Sequence, residues 1–221
     1  MPVRKIPKNY LGVTGGFASK KNGQMLGFES LLEKEYMLLL EFDETVESFE
    51  EQPVSIPIPG TKNSYTPDLL VRFHPVVQQT VAQRPCLVEV KHTDDLTKNS
   101  KKYAPKFELA TAYAAVNNWD FRIVTQKDIR IPKLSNLKFL REYRNINPAE
   151  SDLGQALEAL KGLRSPASFN TMIDKLLTDS QDKLYWIPII WHLIVTKEIH
   201  TDLDTPFSDN ILIWLPQVSN G

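Results

Sequence analysis

The run CLVEVK at residues 86–91 sets an acid and a base two positions apart in an otherwise apolar segment of strand length. Period-two alternation puts Glu89 and Lys91 on one face of such a strand and turns Val88 and Val90 toward a core. Upstream, Pro67 and Asp68 open a second apolar run, LLVRF, so Asp68 stands at the start of a neighbouring strand. If the two strands pair, three charges converge. Two carboxylates can hold Mg²⁺, with Mn²⁺ able to replace it, and such an ion can polarise a scissile phosphate and lower the pKa of a bound water. An ammonium alongside orients the water or offsets charge on the phosphate oxygens. Alone, the ExK triplet is what any solvated strand can carry. Joined to the Pro-Asp step, the intervening loop and an acid-bearing helix ahead of both, it points to a metal-dependent nuclease.

That helix is expected over residues 29–41, where Phe28, Leu31, Leu32, Tyr36, Leu39 and Leu40 recur at helical spacing. It carries Glu29, Glu33, Glu35 and Glu41. Glu35 projects into the apolar stripe, Glu33 falls on its edge, and Glu29 lies one turn earlier on nearly the same face. Geometry therefore leaves Glu29 and Glu33 as candidates for a third carboxylate. Beyond it, FDETVESFEEQP leaves the helical period. Strands are expected at 54–58, 69–73 and 86–90, a helix at 101–116, a strand at 121–125 and a shorter one at 129–131. The succession of helix, three strands, helix and strand predicts an α/β fold, a mixed sheet flanked by helices.

Charge divides the chain. Residues 1–150 hold 21 basic and 18 acidic side chains, whereas residues 151–221 hold 5 and 9. Residues 1–28 contain Lys20 and Lys21 among their cations and no acid, with several glycines, and read as a flexible basic arm. A second acid-free cluster, Lys98, Lys101, Lys102 and Lys106 around Tyr103, has the character of a phosphate-neutralising patch, although solvated lysine runs are common. The stretch NINPAES at 145–151 is poor in apolar residues and marks a boundary, giving a catalytic domain at 29–147 and a small domain at 151–221. Helices expected at 153–163, 168–177 and 183–196, with a hairpin from 198–203 and 211–215, suggest a winged helix. Its third helix, KLYWIPIIWHLIVT, is too apolar for reading a DNA groove, which favours protein docking.

Several function classes are excluded. The longest apolar stretch is broken by Pro188 and His192 and falls short of a membrane span, so no membrane role is expected. The single cysteine, Cys86, precludes an internal disulfide, and MPVRKIPKNYLG lacks the apolar core of a signal peptide, so a cytoplasmic setting is expected. Cys86 has no partners for a zinc site, and the Gly15-Gly16 step lacks the ending of a nucleotide-binding loop. His92 turns away from the Glu89 face, and Gln126 reads as part of a surface turn.

The segments LLEKEYMLLLEFDETVESFEEQP at 31–53, YTPDLLV at 65–71, LVEVK at 87–91, FRIVTQKDIR at 121–130 and NLKFLREYR at 136–144 resemble the TnsA family, the endonuclease subunits of heteromeric cut-and-paste transposases. The resemblance implies a restriction-endonuclease-like N-terminal domain. Its register places the helix-borne active-site glutamate on Glu33 and matches Asp68, Glu89 and Lys91 to the remaining positions, with Glu33, Asp68 and Glu89 as metal ligands. It also implies cleavage of the non-transferred strand at the DNA ends of a transposon, in a bacterial cytoplasm, beside a DDE-type transposase subunit and an AAA+ regulator ATPase that the C-terminal domain helps to dock. A stand-alone restriction or repair nuclease, or a non-catalytic adaptor bridging DNA and proteins, are the competing readings.

Overall fold

The computed structural model describes residues 13–75, 83–177, 183–208 and 210–216. The chain divides into two compact units, residues 1–130 and 131–221. No helix among the described residues is long and apolar enough to cross a membrane.

The first unit begins with β1 (Gly15–Ser19) and β2 (Gln24–Phe28), an antiparallel hairpin, where a flexible arm was expected. Order comes from burial: Phe17, Leu26 and Phe28 are in the core. Helix α1 (Leu31–Phe42) then starts at an N-cap, Ser30, whose hydroxyl accepts the Glu33 N–H. Its buried face combines Leu32, Met37, Leu38, Leu40 and Phe42 with two acids, Glu35 and Glu41. Both acids are used. Glu35 Oε2 takes a hydrogen bond from Arg130 Nε at 2.9 Å, and Glu41 accepts from the Ser19 hydroxyl at 2.7 Å and the Lys20 N–H at 3.0 Å, stitching the hairpin turn to the helix.

Next come β3 (Val46–Glu51), the short pair β4 (Ile56–Pro57) and β5 (Ser64–Tyr65), then β6 (Leu69–Phe73) and β7 (Cys86–Val90). Helices α2 (Thr93–Lys98) and α3 (Ser100–Val116) lead to β8 (Asp120–Val124). The central sheet runs β3-β6-β7-β8; its first two pairings are antiparallel and the β7–β8 pairing is parallel. The long crossover α2–α3 is what a parallel pair requires. All five residues of β7 are buried, so this strand is covered on both faces rather than half-exposed as simple alternation suggests. Leu87 joins Ile56, Tyr65, Leu70 and Ala110 in one apolar cluster. Strand β3 escapes a hydrophobicity reading because three of its six residues, Glu47, Glu50 and Glu51, are acids, whereas the expected strand at 54–58 shrinks to two residues. The expected strand at 129–131 is instead the end of helix α4 (Gln126–Ile129), opened by a reciprocal Thr125–Asp128 capping box.

The second unit starts with α5 (Pro132–Leu140), running into a 3₁₀ turn at Arg141–Tyr143. The unit boundary therefore lies upstream of NINPAES: buried Asn136 donates to the carbonyls of Leu203 at 2.9 Å and Thr205 at 2.8 Å, and accepts from Phe207 N–H at 3.2 Å, which makes α5 part of this core. Helices α6 (Glu150–Lys161), α7 (Phe169–Leu176) and α8 (Lys183–Val195) follow the expected positions. The terminal strands β10 (His200–Thr201) and β11 (Leu212–Trp214) pair as a hairpin, and β9 (Ala167–Ser168) adds a third strand in the order β10-β11-β9. Trp191 stacks between Phe169 and Phe207, with ring centroids at 4.5 and 5.4 Å.

Candidate active site

Strand register assembles the charged cluster. Leu69 lies opposite Val88, so Asp68, one residue before β6, reaches the end of β7. There the Val90 N–H donates to Asp68 Oδ2 at 2.7 Å. Lys91 follows directly after β7, and its own N–H bonds the Val124 carbonyl at 3.0 Å, extending the parallel ladder and fixing the root of its side chain. The Lys91 ammonium lies 2.8 Å from Glu89 Oε1 and 3.5 Å from Asp68 Oδ2. Glu89 is anchored on its other oxygen, where the Tyr65 hydroxyl donates to Oε2 at 2.7 Å. The expected convergence of Asp68, Glu89 and Lys91 is present, and the ExK pair is a buried one: Glu89 is only 4% exposed.

Glu33 stands differently. Its Oε2 accepts the Glu29 N–H and its Oε1 the Ser30 hydroxyl, both at 2.8 Å, so its carboxylate is tied to the residues that open α1. It still faces the cluster electrostatically, since its charge acts on both Asp68 and Lys91. Glu29, the other candidate on geometry, accepts from Gln52 Nε2 at 3.0 Å. Among the described residues no three His, Cys, Asp or Glu side chains are gathered closely enough to hold a metal ion together. Glu33, expected to join Asp68 and Glu89, has both carboxylate oxygens engaged at the start of α1.

Burial and the neighbouring Glu89 carboxylate push the Asp68 pKa well above the ordinary aspartate range, against the pull of Lys91. Burial also raises Glu33, opposed by its two cap hydrogen bonds. Burial alone would lower Lys91, yet Asp68 and Glu89 overcome it and hold the ammonium above its usual value. These directions agree: three carboxylates face one ammonium, and the locale is short of positive charge. Burial, together with the Glu89 carboxylate, raises Tyr65, so its hydroxyl remains a donor at neutral pH.

The lysines of the suggested phosphate patch divide. Lys98, Lys101 and Lys102 are exposed, Lys102 lying over the Tyr103 ring. Lys106 is half-buried, its ammonium 5.7 Å from the centroid of Tyr65, the residue that anchors Glu89. Lys20 is exposed on the hairpin turn, but Lys21 donates to the carbonyls of Asp43 and Val46, which makes it a brace in the fold. His92 caps α2, accepting the Asp94 N–H at 3.4 Å. Gln126 is a fastener rather than a surface turn: its side chain accepts the Thr93 N–H at 2.9 Å and donates to the Thr93 hydroxyl at 2.6 Å. Burial raises the Cys86 thiol to about 11, which suits a core residue and not a nucleophile.

Sequence reasoning missed Tyr65 and Gln52. Tyr65 could have been found from its place two residues ahead of Pro67, where the chain enters the Asp68 strand. Gln52 carries no comparable signal, because its role depends on a left-handed backbone, φ 46°.

Two family descriptions match the chain. TnsA-like endonuclease N terminal covers residues 43–126, spanning Asp68, Glu89 and Lys91, and TnsA endonuclease C terminal covers residues 128–203. The chain belongs to the TnsA endonuclease family. Its four-stranded mixed sheet with flanking helices is the restriction-endonuclease-like N-terminal domain of a TnsA protein, and residues 128–203 supply the TnsA C-terminal domain. Membership makes it an endonuclease subunit of a transposase. No curated protein matches the sequence.

Proposed function

We propose that this TnsA protein is a Mg²⁺-dependent DNA endonuclease that cuts the non-transferred, 5′ strands at transposon ends and so enables cut-and-paste transposition. The observation that carries this reading is the contact of Asp68, Glu89 and Lys91 at the ends of two paired inner strands. The donors are hard oxygens in a locale with surplus negative charge, which fits a small divalent cation. Asp68 and Glu89 would hold it, with Glu33 as the third carboxylate close by; when bound, the ion supplies Lewis-acid activation of the phosphate and of a water.

The protein's own groups do the rest. Val90 N–H aims Asp68, and Tyr65 holds Glu89 by one oxygen so that the other faces Lys91. Lys91, kept cationic by its neighbours, offsets charge that builds on the scissile phosphate oxygens. Lys98, Lys101, Lys102 and Lys106 contact the DNA backbone, which gives affinity without sequence choice. Choice of ends and timing belongs to partners, a DDE-type transposase subunit and an AAA+ regulator, and the acidic, winged-helix-like C-terminal unit is the docking module.

Asp68→Ala and Glu89→Ala abolish 5′-strand cleavage in a reconstituted reaction while leaving partner binding intact; excision at the normal level in both variants defeats the assignment. Plasmid cleavage by the purified chain with Mg²⁺ alone would instead support a stand-alone nuclease. The one observation favouring a non-catalytic adaptor is Glu33 bound into its helix cap. That reading predicts no Mn²⁺ at Asp68 and Glu89 in crystals grown with the ion.

A further inference from the structure

Gln52 combines two costs at one position. Its backbone is left-handed, uncommon for a residue with a long side chain, and its side-chain Oε1 is buried without a hydrogen-bond partner among the described residues. The amide cannot relieve this by flipping, because Nε2 must remain toward the Glu29 carboxylate, to which it donates at 3.0 Å. An unmet buried acceptor is destabilising, and left-handed strain adds to it.

The position is beside the cluster. Glu51 pairs with Leu69, so Gln52 stands opposite Asp68, and its N–H donates to the Asp68 carbonyl at 2.8 Å, one ladder step beyond β3 and β6. Glu29, its side-chain partner, gives its own N–H to Glu33. Gln52 thus links the segment that delivers Asp68 to the helix start that delivers Glu33. Mg²⁺ surrenders its water reluctantly and keeps several waters when it binds to one or two carboxylates. Those waters donate hydrogen bonds and need acceptors.

We propose that Gln52 is a positioning residue whose Oε1 accepts a hydrogen bond from a water in the shell of the divalent cation at Asp68 and Glu89. This rests on the nuclease reading above, and it assigns Gln52 a share in cation affinity that neither the charge pattern nor the ExK motif indicates. Glu29 sets the orientation of the amide, and the left-handed turn places it.

Two substitutions test it. Gln52→Met keeps length and removes the Oε1 acceptor together with the Nε2 donor to Glu29. Gln52→Asn keeps an amide but withdraws both its oxygen and the nitrogen that meets Glu29 by one methylene, while asparagine tolerates the left-handed backbone better than glutamine, which offsets part of the lost Glu29 bond. Mn²⁺ binding by calorimetry to the full chain, with thermal melting of each variant, is the measurement. Both variants are expected to bind Mn²⁺ about tenfold more weakly, the loss of one charge-assisted hydrogen bond. Wild-type affinity in Gln52→Asn, or in a folded Gln52→Met, overturns the inference alone, provided that Asp68→Asn loses the ion. Absence of Mn²⁺ binding by the wild-type chain overturns this inference and the nuclease reading together. A Gln52 that merely supported the fold would lower the melting temperature with affinity unchanged.

Discussion

Asp68 is where the proposed activity and stability oppose each other. Its folded pKa lies above the ordinary value because burial and Glu89 disfavour its ionised form. The sign follows: the group's contribution to stability is intact below the unfolded aspartate pKa and is lost as pH rises through the elevated folded value. Asp68→Asn should therefore raise the melting temperature at pH 7 by a few degrees, with the gap closing on acidification toward pH 4. Adding Mn²⁺ should lift the wild type toward the variant and leave the variant unmoved, as thermal melts with and without the ion will check. A variant less stable than wild type at neutral pH contradicts this account. At the same scale, Asp68, Glu89 and Lys91 were legible in the sequence because strand alternation and pairing act through main-chain geometry, which spacing records. Tyr65 and Gln52 were not, since one acts through a two-residue strand and the other through a backbone conformation that side-chain chemistry does not announce.

Elements were legible where a hydrophobic period sets them and obscured where a polar group does. Helices α1 and α3 and strands β6, β7 and β8 follow the apolar pattern closely. Hairpin β1–β2, by contrast, reads as glycine-rich and basic, and its order depends on three scattered buried residues, Phe17, Leu26 and Phe28, together with a carboxylate from another element. Glu41 is 4% exposed and meets the Ser19 hydroxyl and the Lys20 and Lys21 N–H groups. Glu41→Ala leaves those donors without their acceptor and should cost about 1–3 kcal/mol, with faster amide exchange confined to residues 15–28. Urea denaturation and hydrogen exchange measure the two effects. The cap of α1 is a second such case. Ser30→Ala should cost about 1 kcal/mol, read by urea denaturation, and removes the donor to Glu33 Oε1 while Oε2 stays bound by the Glu29 N–H.

At the scale of the whole molecule, the boundary shows what composition can misplace. NINPAES looks like a linker because it is polar and contains Pro148, yet α5, just before it, is fastened into the second unit by Asn136, a residue that no hydrophobic pattern selects. A fragment of residues 131–221 should melt cooperatively, whereas residues 148–221 should not, as calorimetry of the two will decide. The first unit ends on Arg130, whose guanidinium binds Glu35 on α1, two positions after Glu33. The covalent junction is thus moored, through Glu35, on the helix that also bears Glu33, so a tug on the trailing chain is delivered first to that helix.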